Sequence, residues 1–94
     1  MHTCMYRDME FEWSEKKNRT NIALHGISFE KAKFIFSGFC VRYEDHRKDY
    51  GEKRQLSIGL MEEIAVIVVV HTQRHDRIRI ISARSANTTM LVID

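Results

Sequence analysis

Arg74, Arg77, Arg79 and Arg84 are the basic residues of segment 64–94, which holds only Asp76 and Asp94 as acids. Residues 1–63 balance 11 basic against 11 acidic side chains, so the last third carries the whole net charge of +2. Guanidinium groups stay charged and grip two phosphate oxygens at once, so clustered arginines point to a phosphodiester or another polyanion. The same residues also suit a solvated sheet edge whose charges discourage strand-to-strand association. None of the five histidines, His2, His25, His46, His71 and His75, stands beside paired cysteines, which argues against a metal site. The chain has neither a glycine-rich phosphate loop nor a nucleophile elbow, so no cofactor is expected. Residue chemistry leaves two classes: basic side chains on a sheet face meeting a phosphodiester, or a protein-binding surface.

The chain that must position these groups has 94 residues, 44% apolar and 30% charged, which suits one folded domain and is too apolar for disorder. Its longest apolar run, Ile64 to Val70, is far short of the roughly 20 residues a membrane helix needs. Met1 to Glu10 lacks the apolar core of a signal peptide. Cys4 and Cys40 fit free thiols in a reducing cytoplasm, Cys40 packed and Cys4 exposed. Residues 1–8 read as a mobile extension, and 9–94 as a single domain with an ambiguous apolar tail at 87–94.

Phe11-Glu12-Trp13 reads as a short strand. Ser14 then caps a polar helix from Glu15 to His25, which Gly26 closes. Ile22, Ala23 and Leu24 are the only apolar residues of that helix, so most of its circumference faces water or a polyanion. Ser28 caps a second helix over 26–38, whose Phe29, Ala32 and Phe36 form an apolar face with Ile35 beside it. Ile27 and Ala32 sit where a hydrophobic staple would form. The period then changes to two. Phe39 to Glu44, Arg54 to Leu60, Ile64 to His71 and Arg77 to Ala83 read as strands, with Leu56, Ile58 and Leu60 on one face, opposite Gln55, Ser57 and Gly59, and Ile78 and Ile80 inward. Short connections favour an antiparallel meander of three to four strands. The fold class is α+β, a two-layer sandwich.

Three ordered motifs add a resemblance. Phe11-x-Trp13-x-x-x-Lys17-Asn18-x-x-Asn21-x-x-x-His25-Gly26-Ile27-Ser28-Phe29-Glu30-x-Ala32, Asp49-x-Gly51-Glu52-x-Arg54-x-x-x-Ile58-Gly59, and Ile78-Arg79-Ile80-Ile81-Ser82-Ala83-Arg84-x-Ala86 resemble the signatures of the BrnT toxins. The likeness covers residues 9–86. The chain differs from the usual pattern at Ser14, Leu24 and Ser37-Gly38, and its tail from Asn87 to Ile93 replaces a basic C-terminal helix. The resemblance implies a RelE-like fold and a cytoplasmic, metal-independent ribonuclease that inhibits translation. It also implies a ribbon-helix-helix antitoxin, which neutralises the toxin in a heterotetramer and binds operator DNA. The alternative is a catalytically impaired relative that keeps only the binding role in the repressor complex.

Metal-free RNA cleavage proceeds by attack of the 2′-hydroxyl on the adjacent phosphorus, so it needs a proton acceptor, a proton donor and positive charge on the phosphorane. On the resemblance, Arg54 and Arg84 are candidate phosphate clamps, His25 and Lys17 candidate proton-transfer groups, and Arg74, Arg77 and Arg79 candidate RNA-binding residues. Structural roles compete with each. Arg54 and Arg84 share strand parity with the inward Leu56 and Ile80 and would brace the sheet to Glu15 or Glu30. His25 would cap the helix dipole, and Lys17 would be plain surface. Trp13 would anchor helix to sheet, and Glu52 reads as a loop charge.

Overall fold

The computed structural model describes residues 2–4, 9–38, 40–46, 51–61 and 65–86. Helix α1 (Glu15–His25) begins where the Ser14 hydroxyl accepts the Lys17 N–H at 3.3 Å, and it ends at Gly26, whose φ of 71° is the left-handed conformation that glycine adopts without strain. Helix α2 (Phe29–Ala32) starts in the same way, Ser28 accepting the Lys31 N–H. It is shorter than the apolar spacing predicts, because Lys33–Ser37 tightens into a 3₁₀ turn. That turn brings the successive residues Ile35 and Phe36 both into the core.

Among the described residues the sheet has six strands in the order β1-β3-β4-β5-β6-β2. They are β1 (His2–Cys4), β2 (Glu10–Glu12), β3 (Cys40–Asp45), β4 (Arg54–Met61), β5 (Ala65–Arg74) and β6 (Arg77–Ser85). β3 to β6 form the expected antiparallel meander. Two short strands extend it: β2 runs parallel to β6, and residues 2–4, read above as part of a mobile extension, pair with β3. The register sets the backbone of Cys4 opposite Cys40. Cys40 is disulfide-bonded and no described cysteine is a free thiol, which corrects the expectation of free thiols. The tail at 87–94 lies outside the described residues, and no described helix is long and apolar enough to cross a membrane.

Both helices pack on one face of the sheet. Phe29, Ala32, Ile35 and Phe36 meet Ile67, Val69, Ile78, Ile80 and Ala83 there, with Ile27 and Ala32 of the predicted staple in the same cluster. Trp13 packs edge-on against Phe29 at 6.0 Å, the anchoring role expected of it. The alternation of β4 is correct but its polarity is inverted. Ser57 and Gly59 are buried towards the helices, while Leu60 on the opposite face is 53% exposed. The reason is steric: a Cβ on Gly59 would lie 2.9 Å from Cβ of Ile35 and 3.1 Å from Cβ of Cys40.

Helix α1 docks through carboxamides. Its buried residues are Asn18 and Asn21, whereas Ile22 and Leu24 are exposed. Asn21 Nδ2 donates to the carbonyls of Ile27 (2.9 Å) and Ala83 (2.8 Å), and its Oδ1 accepts the Ala83 N–H at 3.1 Å. The side chain thus pairs with both main-chain groups of Ala83, as a neighbouring strand would. Asn18 Oδ1 accepts the Phe29 N–H at 2.9 Å, tying α1 to the first turn of α2.

Two stability predictions follow from these contacts. Asn21→Ala leaves buried backbone groups unpaired and should cost about 2–3 kcal/mol in urea unfolding, while Leu24→Ala should change little. Gly59→Ala should cost about 1–3 kcal/mol in the same measurement, because Ile35 and Cys40 must give way.

Candidate functional site

A bulge in β6 decides where the arginines point. Val70 pairs with Ser82 but His71 pairs with Ile80, so one residue of β6 is left over. The extra residue reverses parity, and Ala83 and Ile80 both face the helices although three positions separate them. Arg84, opposite Val68, therefore lies on the face turned away from the helices, not on the side of Ile80 as strict alternation implies. Arg54, Arg74, Arg77 and Arg79 share that outer face by register.

Four of the five form a strip at one end of this face, where β4 begins and β5 turns into β6. Three carboxylates lace it. Glu52 reaches Arg74 Nη2 at 3.1 Å and Arg54 Nε at 3.5 Å. Glu12 meets Arg79 Nη1 at 2.9 Å and Arg77 Nη1 at 3.9 Å, and Glu10 meets Arg77 Nε at 3.5 Å. Neither Glu15 nor Glu30 serves as the brace considered above: Glu15 accepts from Asn18, and Glu30 pairs with Lys33 at 2.8 Å.

Beside the strip lies a cleft of about 440 Å³, lined by Glu52, Lys53, Gln55, Thr72, Arg74 and His75 among others. His75 has a φ of 54°, the left-handed conformation a two-residue hairpin turn demands. Sequence reasoning missed Lys53 and His75 as site neighbours and read Glu52 as a loop charge. The visible signal was the run Glu52-Lys53-Arg54 at a strand start. What pairs with it comes from 20 residues further on and shows only in the fold.

Arg84 stands apart from the strip. Arg54 precedes the partner of His71 whereas Arg84 faces Val68, a separation on the order of 15 Å, so the two do not form one clamp. Arg84 has no carboxylate partner among the described residues, and its Nε is shielded from water without an acceptor. Its neighbour Ala83 carries the dock of α1 on the opposite face, so Lys17 and His25, both exposed on that helix, lie in the layer across the sheet from Arg84 and from the strip.

A second polar group is buried under the helices. His71 is 1% exposed, stacks edge-on against Phe36 at 5.1 Å, and shares a 2.7 Å hydrogen bond between its Nε2 and the Ser57 hydroxyl. Burial, helped by the positive charge of Arg42, lowers its pKa from 6.5 to about 4. Ser57 and His71 are a nucleophile and a base by residue type, yet both are sealed from substrate, so the pair is structural.

A family model described as ribonuclease toxin, BrnT, of type II toxin-antitoxin system matches residues 13–89. Among solved structures, the 1.1 Å crystal structure of the Brucella abortus ribonuclease toxin BrnT aligns with a TM-score of 0.68 at 29% identity. That alignment covers 85% of this chain and 99% of the Brucella chain. No curated protein matches. The chain belongs to the BrnT family of ribonuclease toxins of type II toxin-antitoxin systems.

The buried histidine makes stability depend on pH. Between about pH 6.5 and 4 the unfolded chain binds a proton at His71 that the folded chain refuses, so stability present above 6.5 is lost as pH falls towards 4. The loss should approach roughly 3 kcal/mol by the bottom of that window. Urea unfolding at stepped pH checks it: His71→Gln should flatten this acid limb, and an unchanged slope would assign it to other groups.

Proposed function

We propose that this chain is an endoribonuclease that cleaves RNA without a metal ion, by 2′-hydroxyl attack on the adjacent phosphorus, with Arg84 as its principal phosphate ligand. The observation that carries this reading is the state of Arg84: a guanidinium without a carboxylate partner among the described residues, one N–H already stripped of water and unmatched. A desolvated cationic donor is costly until an anion meets it, and a phosphorane offers more negative charge than the substrate does. Ground-state binding and transition-state stabilisation then draw on the same group, with the larger gain in the transition state.

The strip of Arg74, Arg77 and Arg79, with Arg54, guides the rest of the RNA strand by backbone contacts. The family resemblance offers Lys17 and His25 as proton-transfer candidates, but α1 packs on the face of the sheet opposite Arg84, which counts against their serving the same phosphate. A 2′-hydroxyl requirement separates RNA from DNA with no base reading. The reading further includes inhibition of translation in the cytoplasm and neutralisation by a ribbon-helix-helix antitoxin. In the resulting heterotetramer the antitoxin binds operator DNA.

A second reading, a catalytically impaired relative that serves only as a binding partner, is favoured by the carboxylates on the strip. Glu10, Glu12 and Glu52 already neutralise most of the charge an RNA strand would use. Incubating the purified protein with a long RNA and its deoxy counterpart, with and without chelator, separates the two. The RNA should be cut, the deoxy strand left intact, and the chelator without effect. Arg84→Ala should lower the cleavage rate about 10²–10³-fold with an unchanged unfolding curve. Wild-type rates in that variant would remove Arg84 from the mechanism, and no cleavage by the parent protein would leave the binding reading.

A further inference from the structure

We propose that Glu52 is a built-in competitor for phosphate, its carboxylate occupying the anion site that Arg54 and Arg74 make at the edge of the cleft beside the β5–β6 turn. The proposal rests on the reading of this face as the one that meets RNA. The geometry supports it directly. One Glu52 oxygen accepts a hydrogen bond from Arg74 Nη2 at 3.1 Å and the other lies 3.5 Å from Arg54 Nε as an ion pair, so the carboxylate sits between the two guanidiniums. The two non-bridging oxygens of a phosphodiester can be shared between two guanidiniums in the same way.

The two cations are set by the fold and the carboxylate is not. Arg54 opens β4 and Arg74 closes β5, whereas Glu52 lies on the connection before β4. The walls are pinned as well: Thr72 Oγ1 donates to the Lys53 carbonyl at 2.7 Å, and Gln73 Nε2 donates to the His75 carbonyl at 2.9 Å. Glu52 can therefore swing out while the arginines stay in place. Arg74 is 48% exposed, so an incoming anion reaches it, and Lys53 and His75 add donors beside it. The cleft of about 440 Å³ falls within the usual range for a small-ligand site, about 300–1,000 Å³.

Competition of this kind selects for polymers. Free phosphate must evict Glu52 with nothing else to hold it. A strand already held elsewhere on the outer face presents its next phosphate at high local concentration and displaces the carboxylate more easily. Glu52 thus discriminates a polyanion from the phosphate and mononucleotides that surround it.

The test uses binding of a short 2′-O-methyl RNA, which cannot be cleaved by its own 2′-hydroxyl, read by fluorescence anisotropy, with inorganic phosphate as a competing ligand. Glu52→Gln should tighten RNA binding about fivefold, the effect of releasing its two partly exposed ion pairs, and should let inorganic phosphate compete where it does not against the parent protein. Glu10→Gln removes the same charge from the exposed rim and should change either constant less than about twofold. The gain should vanish in the Glu52→Gln/Arg74→Gln double variant. Equal effects of Glu52→Gln and Glu10→Gln, or weaker binding in Glu52→Gln with an unchanged urea midpoint, would overturn the proposal. Because the probe is not cut, a protein that cleaves no RNA still reports on Glu52, and a protein that cleaves RNA with no Glu52 effect refutes this proposal alone.

Discussion

A single carboxamide fixes the relation between the helical layer and the sheet. Asn21 closes three hydrogen bonds, two of them to the main chain of Ala83 at the end of β6 that β2 does not reach. An apolar contact would tolerate a sliding helix, but three directional bonds in a buried setting do not. Ala83 is thereby held on the helix side, and its successor Arg84 must face the other way. The orientation of the proposed phosphate ligand thus depends on a residue that touches no substrate. The dock also explains why Ile22 and Leu24 remain exposed, since polar groups already occupy the buried side of α1.

Much of the fold was legible because local chemistry and tertiary need agree. Ser14, Gly26 and Ser28 bound the first helix and open the second, and Phe29, Ala32 and Phe36 fall on the buried face their spacing requires. The failures have one source, which is information held by distant partners. The faces of β4 were assigned by hydrophobicity, but the close approach of Ile35 demands Gly59 there, and both faces of the central sheet are apolar enough to accept either orientation. The bulge opposite Val70 and His71 leaves no mark in the run from Arg77 to Ser85, yet it moves Arg84 to the other face. Strand β1 was missed because three residues carry too little pattern to read.

The site shows the same division. That arginines cluster late in the chain is visible in one dimension. That Glu12 meets Arg79 across 67 positions, or that Glu52 meets Arg74 across 22, is not. Those pairings change the physics, since a laced strip is nearly neutral and a bare one would bind polyanions without selection. Arg84, by contrast, has no carboxylate partner among the described residues, and its Nε is shielded from solvent. Burial of His71 follows the opposite logic: a titratable group is kept neutral by the same core that makes its protonation costly.

The borders of the sheet carry a last consequence. On one flank β6 is covered by three residues of β2 and then by the Asn21 amide, and on the other β3 is covered by three residues of β1. Continuous ladders of free main-chain donors and acceptors are thereby reduced to stubs on the two outermost strands. Among the described residues an added ribbon would find only short stretches of free backbone, so the broad surfaces offer a polypeptide more to recognise than the edges do. Recognition of that sort diverges readily between lineages, because surface residues change without disturbing the scaffold beneath.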